Sequence, residues 1–319
     1  WDDWFSLWEV DASRFSEGFQ HLRSVASSWG TQLGIWMSPF GGYGQTGLQR
    51  MLHGKGEGFE MSNRGFRLSG SKYYVRFRDV VLRRVAEGFG LFKFDGIGGA
   101  LGQTGSGQWT ADFEAMFRLA KDIRSRGGEL GQPIWISLTI GTWPSPFWLL
   151  WFDAIWRDGP DVGTQGLGLE RERWLTFRDA ALRKALARGP TFPMTALMQH
   201  GIVWSRSSDA ASFWPRGAKP QRGSGAGHEE AFWREALSFF LSGTGLQELY
   251  IQIELMGPRH WQILAEVAAF ARDRAELLSD AHPVGGDPGS GELYGAAALR
   301  ESPGLGAEGM VWWRNPAEE

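Results

Sequence analysis

The chain has no cysteine, which removes disulfides and thiolate metal sites and, with them, any inference about redox compartment. It has no surplus of either charge. The 33 Lys and Arg against 36 Asp and Glu leave a net charge of -3, so nothing argues for nucleic acid or an anionic membrane as a partner. No apolar run reaches the length of a membrane span; Phe147-Trp148-Leu149-Leu150-Trp151-Phe152 is far too short. The six histidines (His21, His53, His200, His228, His260 and His282) show no HExxH or other close ligand spacing, so no metal site is expected. There is no Gly-x-Ser-x-Gly elbow and no Walker-type phosphate loop, and Gly-Ile-Gly-Gly-Ala-Leu-Gly over 96–102 lacks the full dinucleotide spacing. The chain opens on Trp1, with neither a start methionine nor a signal peptide. It reads as a piece whose upstream part is missing, and its compartment and oligomeric state stay unassigned.

Aromatics are abundant instead. Eighteen tryptophans in 319 residues serve either core filling or sugar recognition, since a pyranose stacks its apolar face on a ring. Composition does not separate the two. What does carry information is order. A helix is expected over 13–29, a strand over Gln32 to Pro39, a glycine-rich excursion over Gly41 to Gly70, and a helix over 74–88. The strand beginning at Leu91 follows, then a helix over 111–126 capped by Thr110, and strands over Pro133 to Leu138 and Trp151 to Arg157. Further on come a helix over 170–187, a strand from Met194 to His200, a polar loop from Val203 to Gly227 and a helix over 229–241. A strand over Leu249 to Ile253 and a last long helix over 261–278 complete the series. Alternating strands and helices imply βα units around a parallel sheet. Six strands are counted from Gln32, where a complete (β/α)8 TIM barrel has eight. The expectation is therefore an α/β chain forming a TIM barrel over 1–300 that lacks its first one or two strands. Residues 301–319, with the strand Met310 to Arg314, would begin a C-terminal β-rich domain.

The chemistry is concentrated in Leu91-Phe92-Lys93-Phe94-Asp95-Gly96. Side chains alternate across a strand, so Phe92 and Phe94 share one face while Leu91, Lys93 and Asp95 share the other. Charges on the inner face of a barrel strand are costly unless paired, and the carboxyl ends of such strands carry active sites. Asp95 suits a nucleophile, with Lys93 two residues earlier to hold its pKa down and to contact a sugar hydroxyl; it also suits a turn cap. Gly-Ile-Gly-Gly after it reads as a turn. A second carboxylate is offered by Trp156-Arg157-Asp158-Gly159-Pro160-Asp161, as a general acid walled by Trp143 and Trp156 or as ordinary turn residues. His200 ends a strand where it faces substrate or serves the core, and Tyr43 in Gly41-Gly42-Tyr43-Gly44 suits stacking. Two carboxylates among aromatics are the raw material of glycoside cleavage.

Lys93-Phe94-Asp95 resembles the Lys-x-Asp nucleophile strand of the α-galactosidase clan, glycoside hydrolase families 27, 31 and 36. Gly34-Ile35-Trp36-Met37-Ser38-Pro39 is similar to the Gly-x-Trp-x-x-Pro strand that precedes it in that clan. Trp156 with Asp158 and Asp161 resembles the clan's tryptophan followed by Ser-Asp-Asn-x-Asp, one residue shorter. The opening Trp1-Asp2-Asp3-Trp4, Trp8-Glu9-Val10-Asp11 and Phe15-Ser16-Glu17-Gly18 loosely match a family 36 run. The resemblance spans nearly the whole chain. It implies a (β/α)8 barrel, retaining hydrolysis of a terminal α-linked sugar such as an α-galactoside, and no cofactor. It makes Asp95 the nucleophile and Asp158 the acid/base, and Lys93, Trp36 and Asp3 sugar contacts. Trp143, Asp161 and His200 join them as candidates from the reading of the residues. Where family 36 places a Cys-Ser/Gly-Gly-Gly run, this chain has Ser137-Leu138-Thr139-Ile140-Gly141-Thr142-Trp143, so hydroxyl recognition differs. Most retaining enzymes hold their two carboxyls about 5–5.5 Å apart. The alternatives are a non-catalytic carbohydrate-binding barrel and a transglycosylase using the same residues.

Overall fold

The structure, a computed structural model, describes residues 1–62, 65–97, 107–140, 144–157, 159–168, 170–204, 226–302 and 306–316. The chain divides into two compact units, Trp1–Thr142 with Phe147–Trp156, and Trp143–Pro146 with Arg157–Glu319. The first contains β1 (Asp2–Asp3), β2 (Glu9–Val10), α1 (Gln20–Ser28), β3 (Gly34–Met37), α2 (Gly44–Gly56), β4 (Met61–Ser62) and β5 (Gly65–Phe66). It continues through α3 (Ser71–Ala86), β6 (Leu91–Ile97), α4 (Gly107–Glu129), β7 (Trp135–Ile140) and β8 (Ala154–Trp156).

β3, β6, β7 and β8 are parallel, each hydrogen-bonded to its successor in chain order. An order that never reverses belongs to a barrel wall, whereas a doubly wound sheet reverses at a switch point. Register turns the sheet into two rows. Met37, Phe94, Leu138 and Ile155 lie abreast and are fully buried. The first three share a core with Phe77 and Val81 of α3 and Met116, Leu119 and Ile123 of α4. Phe92 and Phe94 are likewise fully buried while Leu91, Lys93 and Asp95 are not, so the alternation expected of this strand holds. Each buried phenylalanine contributes roughly 1.5–3 kcal/mol. The other row, Trp36, Lys93, Ser137 and Ala154, occupies the opposite face.

The second unit contains α5 (Glu170–Arg188), β9 (Leu197–Trp204), α6 (Ala226–Phe240), β10 (Leu246–Ile251), α7 (Pro258–Asp273) and α8 (Ala275–Leu278). An antiparallel sheet of β11 (His282–Gly285), β12 (Tyr294–Ser302) and β13 (Gly306–Arg314) follows. β9 and β10 are parallel, and Ile202, Phe232 and Phe239 pack with Ile263, Leu264 and Val267 beneath them. Among the described residues, four parallel strands lie in one unit and two in the other, so the six expected strands all have counterparts.

Several boundaries differ from expectation for local reasons. α1 starts at Gln20, not near residue 13, because Asp11 accepts hydrogen bonds from the Ser13 amide and hydroxyl and Gly18 has φ +61°, a turn that the helix cannot cross. Thr110 lies inside α4 and does not cap it. Gly96 is strand, not turn. The Gly41 to Gly70 stretch holds a 13-residue helix, α2. A Cβ on Gly47 would stand 2.5 Å from the Gly42 carbonyl oxygen, and one on Gly54 would stand 2.2 Å from the Phe66 ring. Those glycines serve close approach, not flexibility. Most of the polar loop, residues 205–225, lies outside the described residues.

Candidate active site

In the first unit the site is built from the ends of β3 and β6. β6 pairs with β7 as Phe94↔Leu138 and then Ile97↔Ile140, so β6 carries one extra residue at Asp95-Gly96. Gly96 takes φ +84° there. Bulges of this kind re-aim a side chain next to active sites. The re-aimed carboxylate accepts two hydrogen bonds, from the Trp36 indole Nε1 to Oδ2 at 2.9 Å and from the Tyr43 hydroxyl to Oδ1 at 3.1 Å. Tyr43 is 58% exposed and Asp95 is half-buried. The loop tyrosine expected to stack is thus also a hydroxyl donor to the candidate nucleophile. Lys93 lies abreast of Trp36 and Ser137. One step beyond Ser137 on the same face of β7, the Thr139 hydroxyl is buried and has no hydrogen-bond partner among the described residues.

Asp3 is half-buried and accepts a hydrogen bond from the Phe5 amide within its own turn. Its neighbour Asp2, which the sequence reading passed over, is buried in a two-pronged pair with Arg50, at 2.8 Å from Nε and 2.9 Å from Nη2. Arg50 also donates to the Gly41 carbonyl and lies 4.2 Å over the Trp8 ring. That arrangement anchors the loop carrying Tyr43. Trp1 donates from its indole to the Trp36 carbonyl at 3.1 Å.

In the second unit, His200 is 2% exposed and stands between two carboxylates, with Nδ1 2.9 Å from Glu248 and Nε2 3.2 Å from Asp161. Tyr250 meets the imidazole edge-on, its hydroxyl 3.4 Å from Nε2 and donating to Glu248 at 3.3 Å. Glu248 and Tyr250 were not foreseen. They alternate along β10, and Glu248 is the register partner of His200, so a pairing of the two strands would have found them. Asp158 and Trp143 lie outside the described residues. A groove of about 650 Å³ beside α5 includes Pro144, Arg157, Phe177, Arg183 and Lys184 in its lining. It is no better candidate: Arg183 donates to the carbonyls of Val284 and Gly285, and Arg157 to that of Pro160. Among the described residues no cluster of His, Asp or Glu could hold a metal ion, and no helix is long and apolar enough to cross a membrane.

No family model matches the sequence, and no curated protein matches it either. Solved structures do. The family 36 α-galactosidase from Geobacillus stearothermophilus, in complex with 1-deoxygalactonojirimycin, is 13% identical at a TM-score of 0.55 over 95% of this chain and 45% of its own. The galactosidase domain of an α-galactosidase–sucrose kinase is 12% identical at 0.59, over 94% of this chain and 38% of its own. A family 27 β-L-arabinopyranosidase, also from Geobacillus stearothermophilus, is 12% identical at 0.51, over 96% and 76%. The chain spans less than half the length of the first two. At these identities the relationship is one of fold: this chain is similar in fold to the TIM-barrel glycoside hydrolases of families 36 and 27.

Proposed function

We propose that the chain belongs to a retaining glycoside hydrolase that removes a terminal α-linked sugar, an α-galactoside. The observation that carries this reading is Asp95, set on a bulge at the carboxyl end of β6 with both oxygens hydrogen-bonded by Trp36 and Tyr43. Asp95 attacks the anomeric carbon and the glycosidic bond breaks as Asp158 gives its proton to the leaving oxygen. Asp158, now a base, takes a proton from water, which displaces Asp95 and restores the original anomeric configuration. Lys93, Trp36, Asp3, Trp143 and Asp161 are the sugar contacts of this reading, with the buried His200 standing behind Asp161. Neither step requires a metal or an organic cofactor.

The test is turnover of a panel of aryl α-glycosides by the full-length protein and its Asp95→Ala variant. Turnover of an α-galactoside is expected, falling on the order of 10³-fold or more in the variant. Azide should restore reaction in Asp95→Ala with the opposite anomer as product, because a small anion takes the place of the lost carboxylate. Saturable sugar binding with no turnover of any aryl glycoside would leave a carbohydrate-binding barrel instead.

A further inference from the structure

Asp161 is an exposed residue in a turn, a setting where a carboxylate ordinarily rotates freely and contributes little. Here it is held twice. Arg157, itself 1% exposed, donates from Nη2 to the carbonyls of Pro160 and Asp161 at 3.1 and 3.4 Å. His200, 2% exposed, stands 3.2 Å from the Asp161 carboxylate. The Glu248 carboxylate stands 2.9 Å from the other His200 nitrogen without hydrogen-bond geometry, and the Tyr250 ring packs on the imidazole edge. Burying an imidazole between two carboxylates serves no packing purpose that an apolar side chain would not serve better. The strand bearing His200 is also bulged two residues later, where the pairing steps from Leu249↔Gly201 to Tyr250↔Val203. Ile202 there takes φ +44°, an uncommon conformation for a β-branched residue and one that clusters at functional sites. The Asp161 side chain that all this orients remains 65% open to solvent.

We propose that Asp161 is a built hydroxyl-binding carboxylate, and that His200, packed between Glu248 and Tyr250, is its positioning residue. Its ligand class is a pyranose that presents neighbouring hydroxyls, since the two oxygens of one carboxylate accept from two adjacent O–H donors. The inference rests on the sugar-binding part of the proposed function and adds to it the residue that selects among hydroxyl patterns.

Isothermal titration calorimetry with galactose, glucose and mannose tests it, followed by the monodeoxy derivatives of whichever binds. Asp161→Asn should weaken binding of the parent sugar by about ten- to a hundredfold, and this loss should vanish for a derivative that lacks a hydroxyl taken by the carboxylate. His200→Gln should give a smaller loss with the same pattern across the series, and no further loss when added to Asp161→Asn. A merely structural histidine would weaken all derivatives alike, and that result, or unchanged affinity in Asp161→Asn, overturns the proposal. Should His200→Gln fail to fold, the exposed Asp161→Asn carries the test. Aryl glycoside turnover measured alongside separates the two readings. Binding without turnover leaves this proposal standing and removes hydrolysis; turnover with unaltered affinity in Asp161→Asn removes this proposal alone. A wild-type protein that binds none of the sugars overturns this proposal, and if it also turns over no aryl glycoside, both fall.

Discussion

The Trp36 indole and the Tyr43 hydroxyl meet Asp95 from opposite kinds of support. Trp36 sits in a strand whose backbone is fixed by its pairing with β6, whereas Tyr43 sits in a loop held by the Arg50–Gly41 hydrogen bond. Gly96 makes room for the second contact. A Cβ at that position would lie 2.8 Å from the Tyr43 hydroxyl and 3.4 Å from the Ser38 hydroxyl, on a backbone with φ +84°. Gly96→Ala is therefore expected to cost about 1–2 kcal/mol from the left-handed backbone alone and to push Tyr43 off Asp95. The two consequences separate experimentally. Urea unfolding reads the first, and any activity lost should match that of Tyr43→Phe, which removes the same hydrogen bond without touching the backbone. An alanine variant as stable as the parent would mean that Gly96 does not hold the conformation described.

At the scale of elements, α3 shows how a helix is finished by a residue far away in sequence. Its N-cap, Gly70, has no side chain to offer. Glu60 covers the first turn instead, accepting from the Ser71 hydroxyl and the amides of Lys72 and Tyr73. A Cβ on Gly70 would stand 2.5 Å from the Glu60 Cβ, so the glycine admits the carboxylate. Burial raises the Glu60 pKa, but the amides of Lys72 and Tyr73 and the Ser71 hydroxyl outweigh it and hold the carboxyl at about 2. A folded pKa below the unfolded value of 4.5 means stability present above pH 4.5 and lost as pH falls toward 2. Glu60→Gln should thus cost about 1 kcal/mol at pH 7. The gap between variant and parent in urea midpoints should narrow through that acid window. None of this was readable along the chain, because the cap and the helix it closes are joined only by tertiary packing. The same holds for α2, whose glycines look like loop until Phe66 and Gly42 are set against them. By contrast, β6 was legible because its two faces meet different surroundings. Helices bury Phe92 and Phe94, so the alternation is written in residue type. The bulge that aims Asp95 was not legible, since it is a mismatch in count between two strands and no single strand contains it.

At the scale of the whole molecule, the second unit depends on polar groups that its helices and its terminal hairpin share. Arg314 of β13 donates to Thr176 of α5 and to the Tyr294 hydroxyl of β12, and also to the Glu172 carbonyl. Tyr294 donates to Asp179 at 2.6 Å, and Asp179 accepts from Arg178, which reaches Ser238 of α6. Three helix and hairpin surfaces are thus joined by buried polar and charged groups. Removing Arg314 leaves two hydroxyls and a carbonyl without their donor, and Arg314→Met should cost about 1–3 kcal/mol. Tyr294→Phe deletes one donor to Asp179 and should cost about 1–3 kcal/mol. Because the two share partners, the double variant should lose less than the sum, as urea unfolding would read. Additive losses would show that the groups act separately. The phenol supplies a second signature. Burial, with Asp179 beside it, pushes the Tyr294 pKa well above that of an ordinary tyrosine. Its contribution is therefore complete below pH 10 and declines above it, as the unfolded phenol ionises and the folded one does not. Stability of the parent should fall more steeply than that of Tyr294→Phe between pH 10 and 11, and equal slopes would place the hydroxyl outside the network.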